Sequence, residues 1–67
     1  MIKVFLKGPD GRQKTVTINE DATVCNVAID DYHLFFCSIR LNGEKVPLTA
    51  RVHDGDRVEV VAEVTRA

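Results

Sequence analysis

A regular alternation of apolar side chains constrains the fold of this chain more than any other sequence feature. Apolar residues recur at every second position within residues 2–7, 14–19, 35–41 and 57–64. Successive side chains of a β-strand point to opposite faces, so this period of two is typical of half-buried strands. The alternation therefore predicts a sheet with one apolar face, and residues 57–64 are its longest and clearest strand.

Turn-forming residues connect these segments. Residues 8–13, with the sequence GPDGRQ, predict a tight reversal between the first two strands. Asn42-Gly43 predicts a two-residue hairpin turn, because both residues tolerate positive φ. A short edge strand is expected at residues 45–47, since Pro47 cannot donate to a ladder. The turn DGD at residues 54–56 leads into the last strand.

Between the two hairpins the apolar spacing changes to that of a helix. Val24, Val27 and Ala28 lie three and four positions apart, and Thr23 is a suitable N-cap. The helix is expected to run two to three turns. We place its end near residue 31, because the aspartates at 30 and 31 lie where the helix dipole favours cations.

The length and composition favour one folded domain spanning residues 1–67. The chain has 67 residues, 45% of them hydrophobic and 28% charged, with a formal net charge of −1. No apolar run approaches the roughly 18 to 20 residues of a membrane span, and lysines with Gly-Pro interrupt the N-terminus. We therefore expect an uncleaved cytoplasmic protein. The predicted core comprises Ile2, Val4, Leu6, Val16, Ile18, Val24, Val27, Ala28, Ile39, Leu41, Val58, Val60 and Ala62, closed at one end by Leu48 and Val52.

Residues that could support catalysis or bind a cofactor have simpler interpretations. The acidic pairs at 20–21, 30–31 and 54/56 fall at turns or helix ends, where capping and solvation explain them. Cys25, His33, Cys37 and His53 could together bind a metal only if they converged, and they are predicted on different elements. The sequence therefore predicts a protein that is not an enzyme and needs no metal or other cofactor.

The order of elements, together with three short motifs, resembles a known fold. The motifs are ATV at residues 22–24, LNGEKVPL at 41–48 and VHDGDRVEVV at 52–61. Hairpin, helix, hairpin and a final long strand resemble the β-grasp fold of ubiquitin, and the motifs are similar to the small sulfur-carrier proteins of thiamine and molybdopterin synthesis. The resemblance implies an α+β fold with four to five strands in a mixed sheet, ordered 2-1-5-3-4, packed on one short helix.

The C-terminal sequence departs from that of the sulfur carriers. Those proteins act through a C-terminal Gly-Gly whose carboxylate is adenylated and converted to a thiocarboxylate. This sequence ends Val64-Thr65-Arg66-Ala67 and lacks the Gly-Gly. We therefore expect a relative that neither carries sulfur nor is conjugated.

The predicted strand order places a mixed apolar and basic surface on the sheet face away from the helix. Phe5, Phe36 and Val61 are expected to lie across adjacent strands as an apolar cluster rimmed by cations, a composition typical of protein interfaces. In ubiquitin-like proteins the same face is the usual docking surface. The sequence therefore predicts a protein-binding module. The predicted partner-binding residues are Lys3, Phe5, Lys7, Phe36, Ser38, Arg40, Arg57 and Val61.

Other functions remain open at this point. Exposed apolar residues are common on sheets and can have no function. A degenerate or precursor sulfur carrier is the main alternative. Phe5 and Phe36 could instead stack bases of RNA or single-stranded DNA, which Glu59 and the net charge disfavour. A basic sheet face and an acidic helix side would also permit a monomer to self-associate weakly, head to tail.

Overall fold

The computed structural model describes residues 1–29 and 37–62 of the chain. Its first strand begins and ends as predicted, while the second and fourth lie one residue earlier than expected. Residues 35, 36, 63 and 64 of the predicted strands lie outside the described residues. The elements are β1 (Ile2–Lys7), β2 (Gln13–Ile18), α1 (Val24–Ala28), β3 (Cys37–Leu41), β4 (Glu44–Val46) and β5 (Arg57–Ala62).

The strands form one mixed sheet in the order β2-β1-β5-β3-β4, which confirms the predicted topology. β1 and β5 run parallel in the centre, and the remaining neighbours are antiparallel. The turn between β3 and β4 also forms as predicted, with φ of 52° at Asn42 and 88° at Gly43. A two-residue turn whose central residues both have positive φ matches the twist of the strands it joins.

Helix α1 has five residues and is shorter than predicted, because it ends at Ala28 rather than near residue 31. So short a helix is marginal unless its free amides find acceptors. Here the amide of Val24 donates to the carbonyl of Ala50 at 2.8 Å, and that of Cys25 donates to the carbonyl of Leu48 at 3.3 Å. Thr23 is the N-cap, as predicted, and forms a reciprocal capping box with Asn26. No helix within the described ranges is long and apolar enough to cross a membrane.

The core lies between α1 and one face of the sheet. Its buried members are Val4, Leu6, Ala22, Val24, Val27, Ala28, Ile39, Val52, Val58 and Val60, while Ile2, Val16, Ile18 and Leu41 are half-buried against them.

Two residues predicted in the core are exposed, and one core residue was not predicted. Leu48 is 41% exposed, and it contributes to the fold through its carbonyl, which accepts from the amide of Cys25. Ala62 is also exposed, since it ends β5 beyond the last buried residue of that strand. Ala22 is buried in a loop, where no periodicity marks it.

Candidate protein-docking face

The sheet face turned away from α1 holds seven of the eight residues predicted to bind a partner. We call it the open face. Phe36, the eighth, lies outside the described residues. The open face is formed by Lys3, Phe5 and Lys7 of β1, Gln13, Thr15 and Thr17 of β2, Ser38 and Arg40 of β3, Lys45 of β4, and Arg57, Glu59 and Val61 of β5.

Strand register arranges these side chains in rows across the sheet. Phe5 lies opposite Arg57 on β5 and opposite Thr15 on β2. The neighbouring row contains Lys7, Glu59, Arg40 and Lys45, one from each of four adjacent strands. The ring of Phe5, which is 51% exposed, is therefore bordered by charged side chains.

The same register separates two residues of the predicted apolar cluster. Val61 is four positions beyond Arg57, which places it about 13 Å along β5 from the row of Phe5. It lies instead opposite Ser38, and the charged row that includes Glu59 comes between. The prediction that Phe5 and Val61 belong to one cluster is therefore wrong, because alternation assigns a residue to a face but not to a position along a neighbouring strand.

The charge of the open face is opposite in sign to that of the whole chain. Its described residues include five cations, at positions 3, 7, 40, 45 and 57, and one carboxylate, that of Glu59. This local excess of four positive charges occurs in a chain whose formal net charge is −1. A surface of one sign attracts a partner surface of the opposite sign and orients its approach.

Four of these cations form no ion pair within the part of the chain that the structure describes. The side chains of Lys3, Lys7, Arg40 and Arg57 form no ion pair with any residue in the ranges 1–29 and 37–62. By contrast, Arg12, in the turn after β1, pairs with Asp10 at 3.4 Å. Lys3, Lys7, Arg40 and Arg57 are therefore not held by a described carboxylate.

A hydrogen-bonded clasp fixes the backbone beneath Arg57. The amide of Arg57 donates to Asn42 Oδ1 at 2.9 Å, and the amide of Asn42 donates to the carbonyl of Arg57 at 2.8 Å. Asn42 Nδ2 also donates to Asp56 Oδ1 at 3.1 Å. The other carboxylate oxygen of Asp56 accepts from the amide of His53 at 2.7 Å. The β3–β4 turn and the turn before β5 are thus joined at the edge of the site.

The turn at residues 53–56 holds β1 in the same way. The amide of Phe5 donates to the carbonyl of Asp56 at 2.9 Å, and the amide of Lys3 donates to Asp54 Oδ1 at 2.9 Å. The amide of Gly55 completes the contact by donating to the carbonyl of Lys3 at 2.8 Å. The aspartates predicted as turn residues therefore set the positions of Lys3 and Phe5.

An open depression of about 890 Å³ runs across the sheet beside Phe5. Its wall includes Lys7, Thr15, Asn42 and Arg57. This volume lies within the range of small-ligand sites, but the depression is open along the sheet. The depression lies beside β1 and β5 and is large enough for a few residues of another chain.

Comparison with known proteins identifies the architecture. No protein-family model matches the chain, and no curated protein matches it by sequence. A crystal structure of small archaeal modifier protein 1 from H. volcanii aligns with a TM-score of 0.78 at 17% identity, covering 96% of this chain and 100% of that one. The chain has the β-grasp fold. A second crystal structure of the Haloferax volcanii protein aligns with a TM-score of 0.75, also at 17% identity, over 97% of this chain and 99% of that one.

Within this β-grasp sheet, sequence reasoning missed one cation of the open face. Lys45 lies directly opposite Arg40, on the same side of the sheet. The signal was present, because a two-residue turn at Asn42-Gly43 pairs residue 41 with 44 and therefore 40 with 45. Extending that pairing by one position would have added Lys45 to the predicted face.

Proposed function

We propose that this chain is a non-catalytic ubiquitin-like protein that docks through its open face on another protein. The observation that carries the proposal is the half-exposed ring of Phe5, flanked by three cations that form no ion pair with a described carboxylate. An aromatic anchor inside a charged rim is a composition typical of protein interfaces. The name of the structural neighbour, a modifier protein, supports a role exercised on other proteins.

One residue of the open face and the net charge of the whole chain favour a protein partner over nucleic acid. Glu59 stands in the middle of the charged row, opposite both Lys7 and Arg40, where it would repel a phosphate backbone. The chain also has no basic excess, since its formal net charge is −1. A protein partner can place an apolar group against Phe5 and acidic groups against the cations without placing a negative group against Glu59.

The likeness to a modifier protein supports one alternative. The chain could be a degenerate or precursor form of a sulfur carrier or modifier, recognised by an enzyme that adenylates or transfers sulfur. Such recognition would centre on the C-terminal segment, whereas docking through the open face requires Phe5 and Arg57. Variants of these two residues therefore discriminate between the functions.

The test is affinity capture from a lysate of the source organism with three versions of the protein. The first is the wild type, and the second is the double variant Phe5→Ala/Arg57→Ala. The third is a matched control, Ile29→Ala/Arg51→Ala, which also removes one exposed apolar side chain and one exposed arginine. Ile29 is 57% exposed and Arg51 is exposed, and neither belongs to the open face.

We expect a protein retained by the wild type and the control to be lost by the open-face variant. Circular dichroism establishes that all three versions are folded before the comparison. Equal capture of the same proteins by all three would contradict docking through the open face. Equal recovery of an adenylating or sulfur-transfer enzyme would favour the degenerate carrier.

A further inference from the structure

Three cations around Phe5, which form no ion pair within residues 1–29 and 37–62, define what the open face can bind if docking occurs there as proposed. Lys3 and Lys7 lie two residues before and after Phe5 on β1, each about 7 Å away along the strand. Arg57 lies directly opposite Phe5 on β5, about 5 Å away across the sheet. Phe5 therefore has a cation on three sides, while its fourth neighbour, Thr15, is uncharged.

We propose that the partner presents an extended acidic segment of the pattern acid–x–apolar–x–acid, which lies along β1. In an extended chain, alternate side chains face the same way at a spacing of nearly 7 Å. The central apolar side chain would then contact Phe5 while the flanking carboxylates meet Lys3 and Lys7. This spacing matches the cations of β1 because both chains have the period of a β-strand.

Arg57 and the depression offer a further contact beside a segment that lies along β1. The depression extends from Phe5 across β5 to Asn42, which places Arg57 in its wall. Because Asn42 fixes the backbone of Arg57 on both its amide and its carbonyl, this cation projects from a fixed base. A third carboxylate, or the carbonyl groups of the segment, would meet Arg57 there.

Glu59 places a negative charge beside the proposed binding site. It lies opposite Lys7, next to the position that a flanking carboxylate would occupy, and its repulsion weakens binding of any anion there. Replacing it with glutamine removes that repulsion. The variant Glu59→Gln is therefore expected to bind the acidic segment more tightly, a gain that misfolding cannot produce.

The test uses the whole chain, labelled with ¹⁵N, and a nine-residue peptide with the central sequence Glu-Ser-Leu-Ser-Glu. Chemical shifts of the backbone amides report both the site and the affinity during titration to about 5 mM peptide. Matched peptides replace both glutamates with glutamine, replace both with lysine, or replace the leucine with serine. A single-stranded oligouridine serves as the nucleic-acid probe.

We expect the largest shift changes at Lys3, Phe5, Lys7 and Arg57. Each of Lys7→Gln and Arg57→Gln should weaken binding about two- to fivefold, and Glu59→Gln should tighten it by a similar factor, as for exposed charge pairs. Raising the salt from about 50 to about 300 mM should also weaken binding. Loss of the glutamates or of the leucine should each reduce the affinity.

Several results would overturn the acidic-segment proposal. These are the absence of any shift change, equal binding of the glutamine or lysine peptide, or shifts mapped to residues near α1. Tighter binding of oligouridine would assign the face to nucleic acid, and shifts that depend on protein concentration without peptide would assign it to a second copy of the chain. Failure here, with selective capture still lost in Phe5→Ala/Arg57→Ala, would refute the partner chemistry and leave docking by the open face intact.

Discussion

Neighbouring residues of β1 should respond very differently to truncation, because they lie on opposite faces of the sheet. Leu6 is 1% exposed within the core, whereas Phe5 is 51% exposed on the open face. Truncating a buried leucine to alanine lowers the free energy of unfolding by about 2–5 kcal/mol. Burying a whole phenylalanine stabilises by about 1.5–3 kcal/mol, so half of that contribution, about 1 kcal/mol, should be lost in Phe5→Ala.

Urea denaturation followed by circular dichroism measures both losses. A chain of 67 residues is expected to unfold with a free energy of about 3–10 kcal/mol. Phe5→Ala should therefore remain folded with a slightly lower midpoint, while Leu6→Ala should lose a large part of the stability. A loss in Phe5→Ala equal to that in Leu6→Ala would refute the assignment of Phe5 to an exposed docking face.

Substitutions at four further positions test the elements that position the site. Thr23→Ala should lower the free energy of unfolding by about 0.5–2 kcal/mol by removing the helix cap, whereas Thr23→Ser, which keeps the oxygen, should stay near wild type in the same urea experiment. Thermal unfolding of Asn42→Ala and Asn42→Gly should show the alanine variant less stable by about 1 kcal/mol, since both lose the side-chain hydrogen bonds of Asn42 but only glycine accepts positive φ freely. Equal stabilities of the two variants would contradict this. In the urea experiment, Val52→Ala should lower the free energy of unfolding by about 2 kcal/mol and Leu48→Ala by less than half of that, because only Val52 is fully buried. A larger loss in Leu48→Ala than in Val52→Ala would show the assigned core to be wrong.

The sheet and its faces could be predicted from the sequence because period and turn chemistry are local. Alternation alone placed Val4 and Leu6 in the core and Phe5 outside it. Asn42-Gly43 specified its hairpin because positive φ at two successive positions is tolerated by few residue pairs. The strand order, by contrast, came from resemblance to a fold, since no local pattern states which strands become neighbours.

What the sequence did not predict depends on contacts between distant segments. The side chain of Leu48 is exposed, while its carbonyl accepts a hydrogen bond from the amide of Cys25. This role depends on the contact between Leu48 and the start of α1, which the sequence does not indicate. The burial of Ala22 depends on the same contact between residues 48–52 and the start of α1, since the carbonyl of Ala22 accepts from the amide of Val52 at 3.1 Å. The distance between Phe5 and Val61 follows from the parallel register of β1 and β5, which alternation does not encode.

The most direct test of docking through the open face is photocrosslinking inside cells of the source organism. A photoreactive phenylalanine derivative replaces Phe5 in one version of the protein and Ile29 in the other. The two positions are similarly exposed, at 51% and 57%, but only Phe5 is on the open face. The account predicts a protein adduct from position 5 alone, mapped to an acidic stretch of the partner and reduced by Arg57→Gln. Equal adducts from both positions, or adducts from position 29 alone, would contradict it.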